Sequence, residues 1–317
     1  MALLKYILKK MLMLLPVLVG ISIIAFALGI MSPGDPVDQV LNPNGNESYT
    51  QAEYDAMAAK MGLDQPAVVQ YFNWVGGLAH GDLGRSFFTN KSVMDQLVKR
   101  IPISLKLAGF SMLLTILFGV GFGILMAVRK DRLLDHVLGT FSTAALAVPG
   151  FWIAIVLIFL FEEQWKLLPS SGISGGSGFI LPAVTLALPS IGVCARLTRS
   201  AILDEIGRQY MTVADAKGMS RRHAVVCHAF GNALIPIITY LGNHMAGIIG
   251  GASIVETIFA IPGIGSYAIA GVQSKDYYVV QAYVLFSGCI YVLTNILIDL
   301  IYIALDPKIR AGEAVES

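Results

Sequence analysis

Six long apolar runs constrain this chain more than any other feature. They fall at about residues 11–31, 104–128, 136–161, 179–195, 233–255 and 279–305. A helix needs roughly 17–25 predominantly apolar residues to cross a hydrocarbon core. Charged side chains are nearly absent inside the runs. Lys106 lies near one end of its run, where a long side chain can snorkel to the interface, and Asp299 lies close to the end of the last one. Pro149, Pro182 and Pro189 fall within runs, where neighbouring helices can satisfy the freed backbone groups. Composition agrees: 14% of residues are charged, against about 25% in a soluble domain. Mean hydropathy is +0.70. The net charge of +1 gives no global field that would favour nucleic acid. The fold class expected is therefore an all-α integral membrane protein with six transmembrane helices.

The first run begins after a basic stretch and contains Ala25-Phe26-Ala27, a small-residue pattern like a signal-peptide cleavage site. It continues to Met31, too long for an ordinary signal h-region, so it reads as a span. Lys and Arg set the orientation. With residues 1–10 in the cytoplasm, the inner segments hold Lys5, Lys9, Lys10, Arg129, Lys130, Arg132, Arg196, Arg199, Arg208, Lys217, Arg221, Arg222, Lys308 and Arg310. The two later outer loops hold only Lys166 and Lys275. Both termini, including the tail 306–317, and the segment 196–235 are then cytoplasmic.

Residues 32–103 form a small extracytoplasmic lobe on this topology. Ser32-Pro33-Gly34-Asp35-Pro36 and the stretch from Asn42 to Ser48 are rich in turn residues. Gln51 to Met61 reads as a short helix ended by Gly62, and 67–79 and 92–100 read as further short helices. The core 104–305 carries the remaining spans. Within it, Ala201 to Lys217 contains helix formers, with Ile202, Ile206 and Tyr210 on one face. Gly218 suits a C-terminal cap, Ser220 suits an N-cap for a helix starting at Arg221, and Pro236 begins the next span. Small residues at Ala214, Ala216 and Gly218 let another protein approach closely. Arg196, Arg199, Arg208, Arg221 and Arg222 suit either a docked partner or an anionic lipid surface.

Thr212-Val213-Ala214-Asp215-Ala216-Lys217-Gly218, followed by His228-Ala229-Phe230-Gly231-Asn232-Ala233-Leu234-Ile235-Pro236, resembles the EAA loop of ABC importer permeases of the dipeptide/oligopeptide/nickel family. Further blocks resemble that family in the right order. They are Pro33-Gly34-Asp35-Pro36, Gly62-Leu63-Asp64-Gln65-Pro66, Gly81-Asp82-Leu83-Gly84, the stretch from Glu256 to Gly265, the stretch from Asp276 to Gln281, and the closing Asp306-Pro307-Lys308-Ile309-Arg310. The resemblance covers essentially the whole chain. Departures are Thr212 for the signature glutamate, Val213 for the first alanine, and Gly231 for the usual arginine.

The resemblance implies a type I, binding-protein-dependent importer and a permease that is not itself an enzyme. Two homologous permease chains form one pathway through the bilayer. Each presents its EAA helix to one of two cytoplasmic ATP-binding subunits, and an extracytoplasmic substrate-binding protein delivers the solute. The coupling contacts fall on Tyr210, Thr212, Ala214, Asp215, Ala216, Lys217, Gly218, Met219, Ser220 and Arg221. ATP and Mg belong to the partner subunits, because this chain has no GxxxxGK[ST] phosphate loop; it binds no cofactor of its own. Gly121-Phe122-Gly123 lies within an apolar run and reads as helix packing.

His223, Cys227 and His228 lie on one cytoplasmic stretch, but His223 and Cys227 on a shared face are too few for a structural metal site. His136 reads as interfacial and His80 as a turn residue. His244, next to Asn243 in the fifth run, is an ionisable group at membrane depth, which usually faces a cavity or a partner. Imidazole suits nickel, so His244 is a candidate for a transient metal contact, against the alternative of a hydrogen bond between helices. Gly242-Asn243-His244-Met245 and the short 162–178 loop look more like the nickel-type permeases than the dipeptide type. Glu256 is a candidate gate residue. The solute is then nickel, as a chelate, or a short peptide, with a strictly di- or oligopeptide importer as the alternative. A gradient-driven secondary transporter is the reading from a different class; it leads to an expectation of inverted repeats and coupling charges at mid-membrane.

Overall fold

The computed structural model describes residues 2–31, 34–42, 46, 48–169, 171–172, 176–209, 211 and 229–305. Every element with regular structure among them is helical, with a single isolated bridge between Arg85 and Ser92. The helices gather into two bodies. The first is drawn from Met1–Ser104 and Pro262–Val292, the second from Leu105–Ile261 and Leu293–Ser317.

In the first body, helix α1 (Ala2–Met31) is followed by three short helices. Asp35 caps α2 (Pro36–Leu41) by accepting from the Val37 N–H, and Pro36 stands at the first position, where no donor is needed. Thr50 and Glu53 form a reciprocal capping box at the start of α3 (Gln51–Met61). Gly62 ends α3 in the left-handed region at φ 71°, a conformation open to a residue without a Cβ. Helix α4 (Ala67–Ala79) returns toward α1 and seats Tyr71 and Trp74 against Phe26, with ring centroids 5.3 and 6.1 Å away. The Ser22 and Tyr71 hydroxyls lie 2.9 Å apart. His80 follows α4 as an exposed turn residue with Nδ1 2.9 Å from the Gly76 carbonyl.

Helix α5 (Val93–Leu114) continues through a π-helical turn, Thr115–Val120, into α6 (Gly121–Val128). The short helix expected at 92–100 is thus the first part of a 36-residue apolar helix, because Pro102 is accommodated rather than ending it. Two other continuous stretches are long and apolar enough to cross a membrane, Ser177–Ile206 and Tyr277–Ile303.

The run expected at 136–161 is broken. Helix α7 (Leu133–Ala147) and helix α8 (Gly150–Ile158), extended by a π turn to Gln164, meet at a bend of 100°. Val148 precedes Pro149 and is extended at ψ 127°, because the proline ring disfavours helical geometry in the residue before it.

Helix α9 (Ile180–Ile206) takes Pro182 in its first turn and Pro189 in its interior. The separate helix expected from Ala201 is therefore, through Ile206, the end of this long helix. Helix α10 (Phe230–Gly251) follows, with Pro236 inside it rather than at its start. The short α11 (Ser253–Ile258) and α12 (Ile264–Gln273) precede the last helix, α13 (Tyr277–Leu305). In the first body the α12 entry is tied down by Ser104, whose Oγ accepts from the Ile264 N–H at 2.9 Å.

Candidate functional site

Helix α9 is the axis of the second body, and small residues let its neighbours approach. Gly119 and Gly123, one helical turn apart, receive Cys194 and Thr198 of α9. A Cβ on Gly123 would lie 2.4 Å from the Thr198 Cβ and 2.7 Å from the Ala195 carbonyl oxygen. Close backbone approach at small residues is how helices associate where lipid and protein are equally apolar. Of the Gly-Phe-Gly run, Gly123 does the packing, whereas Gly121 has open space beside it.

Below this seam the chain carries a bidentate ion pair that spacing did not suggest. Arg199 Nε donates to Asp135 Oδ1 at 2.7 Å, and its NH2 group donates to Oδ2 at 2.8 Å. Asp135 also accepts from the Asp131 N–H. The pair lines an open groove of about 720 Å³ along α7 and α9, together with His136, Thr140, Thr143 and Arg196. Arg199 is thus engaged with a carboxylate within this chain, while Arg196 is exposed. His136 is exposed beside it.

Neighbours in sequence, Asn243 and His244 part company in the structure. Successive helix positions differ by about 100° in direction. Asn243 is exposed, whereas His244 turns inward and stacks on Tyr240, with ring centroids 5.6 Å apart and planes 6° apart. The Tyr240 hydroxyl donates to the Ser190 carbonyl of α9 at 3.2 Å. His244 Nε2 is buried with no hydrogen-bond partner among the described residues. No group of three or more His, Cys, Asp or Glu side chains gathers at metal-binding distance among the described residues.

Glu256 is 1% exposed, on α11, and its backbone carbonyl accepts from the Ile261 N–H at 2.7 Å. Between them the chain turns through Ala260 at φ 50°, behind the fully buried Phe259. Glu256, Phe259 and Ile261 are thus packed into the second body. The coupling residues Tyr210, Thr212, Ala214, Asp215, Ala216, Lys217, Gly218, Met219, Ser220 and Arg221, and also His223, Cys227 and His228, lie outside the described residues. The helices that lead to and from them, α9 and α10, converge through Ile202, Ala233 and Ile237, all buried in one cluster.

Residues 119–311 match the family described as "Binding-protein-dependent transport system inner membrane component". The chain belongs to this family. Residues 3–108 match its companion N-terminal membrane component. The chain is 33% identical to the probable D,D-dipeptide transport system permease protein DdpB of Escherichia coli K12, covering 93% of this chain and 94% of that one. It is 35% identical to the probable peptide ABC transporter permease protein y4tP of Sinorhizobium fredii, over 96% and 99% of the two chains. The dipeptide transport system permease protein DppB of Escherichia coli K12 is 32% identical, over 97% and 99%. A solved structure titled as inward facing conformations of the MetNI methionine ABC transporter shares the fold, with TM-score 0.58 and 16% identity, over 67% of this chain and 97% of that one. This permease is therefore a component of an ABC importer in the inner membrane, with a type I fold that is helical among the described residues apart from one isolated bridge, and it is not itself an enzyme.

Proposed function

We propose that this permease forms half of a translocation pathway for short peptides. A second homologous permease completes the pathway, two cytoplasmic subunits bind ATP and Mg, and an extracytoplasmic binding protein delivers the solute. The observation that carries the reading is end-to-end similarity to permeases named for dipeptide and peptide transport. Both termini face the cytoplasm, from the distribution of Lys and Arg. Residues 210–221 are the coupling element, where closure of the ATP-binding subunits is felt, and α9 and α10 carry that motion into the second body. Asn243 lines the pathway from the exposed face of α10. Glu256 holds the gate segment shut by packing rather than by meeting the binding protein.

One observation favours a metal chelate as the solute. His244 Nε2 is a buried imidazole nitrogen with no partner among the described residues, and imidazole is a nickel ligand. Paired uptake in a deletion strain separates the two solutes: radiolabelled nickel with and without small chelators, against a labelled dipeptide. Restoration of dipeptide uptake by this gene supports the peptide reading. Restoration of nickel uptake alone overturns it and makes the chelate the solute. ATP dependence in reconstituted membranes tests the class, since a gradient-driven carrier runs without ATP.

A further inference from the structure

Helix α4 carries no charged residue over its 13 positions. An apolar helix of that length is too short to cross a bilayer and suits a buried, re-entrant or interfacial place. Its surface divides into three sides. The first meets α1, where Tyr71 and Trp74 pack on Phe26 and the Tyr71 hydroxyl approaches that of Ser22. The second carries its two amides. Gln70 Nε2 donates to the Gln65 carbonyl at 2.7 Å, and Asn73 Nδ2 donates to Gln65 Oε1 at 3.1 Å. The third is wholly apolar. Val68, Val69, Phe72, Gly76 and Ala79 share one arc of about 100°. All five are exposed, Val68 to 65% and Phe72 to 66%. The position of α4 along α1 indicates what covers this side. The apolar run of α1, residues 11–31, is roughly 30 Å long as a helix, the thickness of a hydrocarbon core. Ser22 and Phe26 stand nine and five residues before its outer end at Met31, roughly 14 and 8 Å along the axis. Tyr71 touches both, so its ring reaches below the end of the span. At that level α1 itself exposes Ile23, Ile24 and Leu28.

We propose that α4 is an interfacial helix of the outer leaflet, with Val68, Val69 and Phe72 sunk among lipid acyl chains. The inference rests on the reading of the first apolar run as a span with residues 1–10 in the cytoplasm. The segment between the first two spans then dips into the bilayer instead of standing wholly outside it. Lipid suits this side better than a protein does. The side presents no side-chain hydrogen-bonding group, and it has no charge to steer a partner or fix its register. A helix satisfies its own backbone, which hydrocarbon demands. At the start of α4 the Val69 and Gln70 N–H groups bond to the Pro66 carbonyl. Asp64 and Asp82, both exposed, bracket the helix and mark where the chain returns to water. A helix lying in the interface buries its apolar face to about 5–10 Å, the depth that Phe26 sets here.

The test uses the intact importer in nanodiscs of phosphatidylethanolamine and phosphatidylglycerol. One probe is a phospholipid with a photoactivatable diazirine in its acyl chain, and the other is a water-soluble diazirine. Mass spectrometry locates the labelled positions. Helix α3 is the aqueous reference, with Glu53, Asp55 and Lys60 exposed, and residues 23–28 of α1 are the lipid reference. Burial of three large apolar side chains favours the lipid-facing state by well over about tenfold, so the ratio of lipid to water labelling at Val68, Val69 and Phe72 should exceed that of α3 by about tenfold or more. It should also match the ratio found on α1. Both probes act on the unaltered protein, so the result does not depend on a variant that folds. An α4 ratio equal to that of α3, with α1 labelled from lipid, overturns the proposal and leaves the span standing. Absence of lipid labelling on α1 as well overturns both. Protection of α4 from both probes, or loss of its lipid labelling when the binding protein is added, identifies a protein interface and also overturns the proposal.

Discussion

Gly192→Ala should separate two helices that the second body needs in contact. Gly192 is buried on α9, and a Cβ there would lie 2.4 Å from the Ser142 carbonyl oxygen on α7 and 3.2 Å from its carbon. These are backbone atoms, so no rotamer change relieves the clash. Restoring ordinary van der Waals contact requires the helices to part by roughly 1 Å, and a gap of that size forfeits about a quarter to a half of each affected pair's attraction. Overpacking of this kind costs about 1–3 kcal/mol. Gly139→Ala is the matched control on α7, where a Cβ would meet only the Met126 Cε at 3.7 Å. That change improves helix propensity by up to about 1 kcal/mol and strains nothing. Thermal unfolding of the detergent-solubilised permease, followed by fluorescence-detected gel filtration, reads the difference. The gain in helix propensity is common to both variants, so at about 2–4 °C per kcal/mol for a chain approaching this size Gly192→Ala should fall roughly 2–12 °C below the control. Equal midpoints for the two variants would refute the close α7–α9 approach on which the second body is described.

Gly218→Arg should abolish solute uptake while membrane insertion and assembly stay normal, since bulk and charge at the coupling element block the ATP-binding subunit; normal uptake would sink the coupling role. His244→Ala should impair nickel uptake across a concentration series if the chelate is the solute, and leave dipeptide uptake unchanged if the ring only packs on Tyr240. Asp276 is 1% exposed, and burial pushes its carboxyl above the usual range, although Ser86 and the Phe87, Phe88 and Val279 N–H groups partly oppose this. A raised folded value means the native state holds its proton longer, so stability falls as pH rises from about 4 until the folded value is passed. Asp276→Asn should remove that slope from pH-dependent hydrogen exchange in the first body, and an unchanged slope would exclude Asp276 as its source. Thr50→Ala should cost about 1 kcal/mol locally by opening the capping box of α3, seen as faster amide exchange at Glu53 and Tyr54.

Much of the architecture was legible because it is decided by local backbone chemistry. In lipid every peptide group must find its partner within the segment, so long apolar runs have to be helices. Caps are equally local: Gly62 ends α3 where its freedom to take the left-handed region indicated. The end-to-end family blocks then made the permease's class readable from ordered motifs. Pro149 shows the limit. A proline inside an apolar run is compatible with a continuous span or a sharp break, and local propensity alone does not choose. The structure chooses the break, with a 100° bend between α7 and α8.

The sequence by itself determined the helical class, the number of apolar runs and the family, because hydropathy and motif order are properties of the chain read in one dimension. Only the tertiary structure decided what each polar residue faces. Asp135 and Arg199 are 64 positions apart, and nothing in their spacing announces a bidentate pair. Asn243 and His244 are adjacent, yet helix rotation sends one outward and the other onto Tyr240. Glu256, an acidic residue next to an apolar run, is packed inside. Ser22 and Tyr71, 49 positions apart, bring their hydroxyls to 2.9 Å. The physical reason is common to all four. Helices with equally apolar surfaces are sorted by shape and by the few polar groups that must be satisfied, and that sorting depends on where every other helix lies.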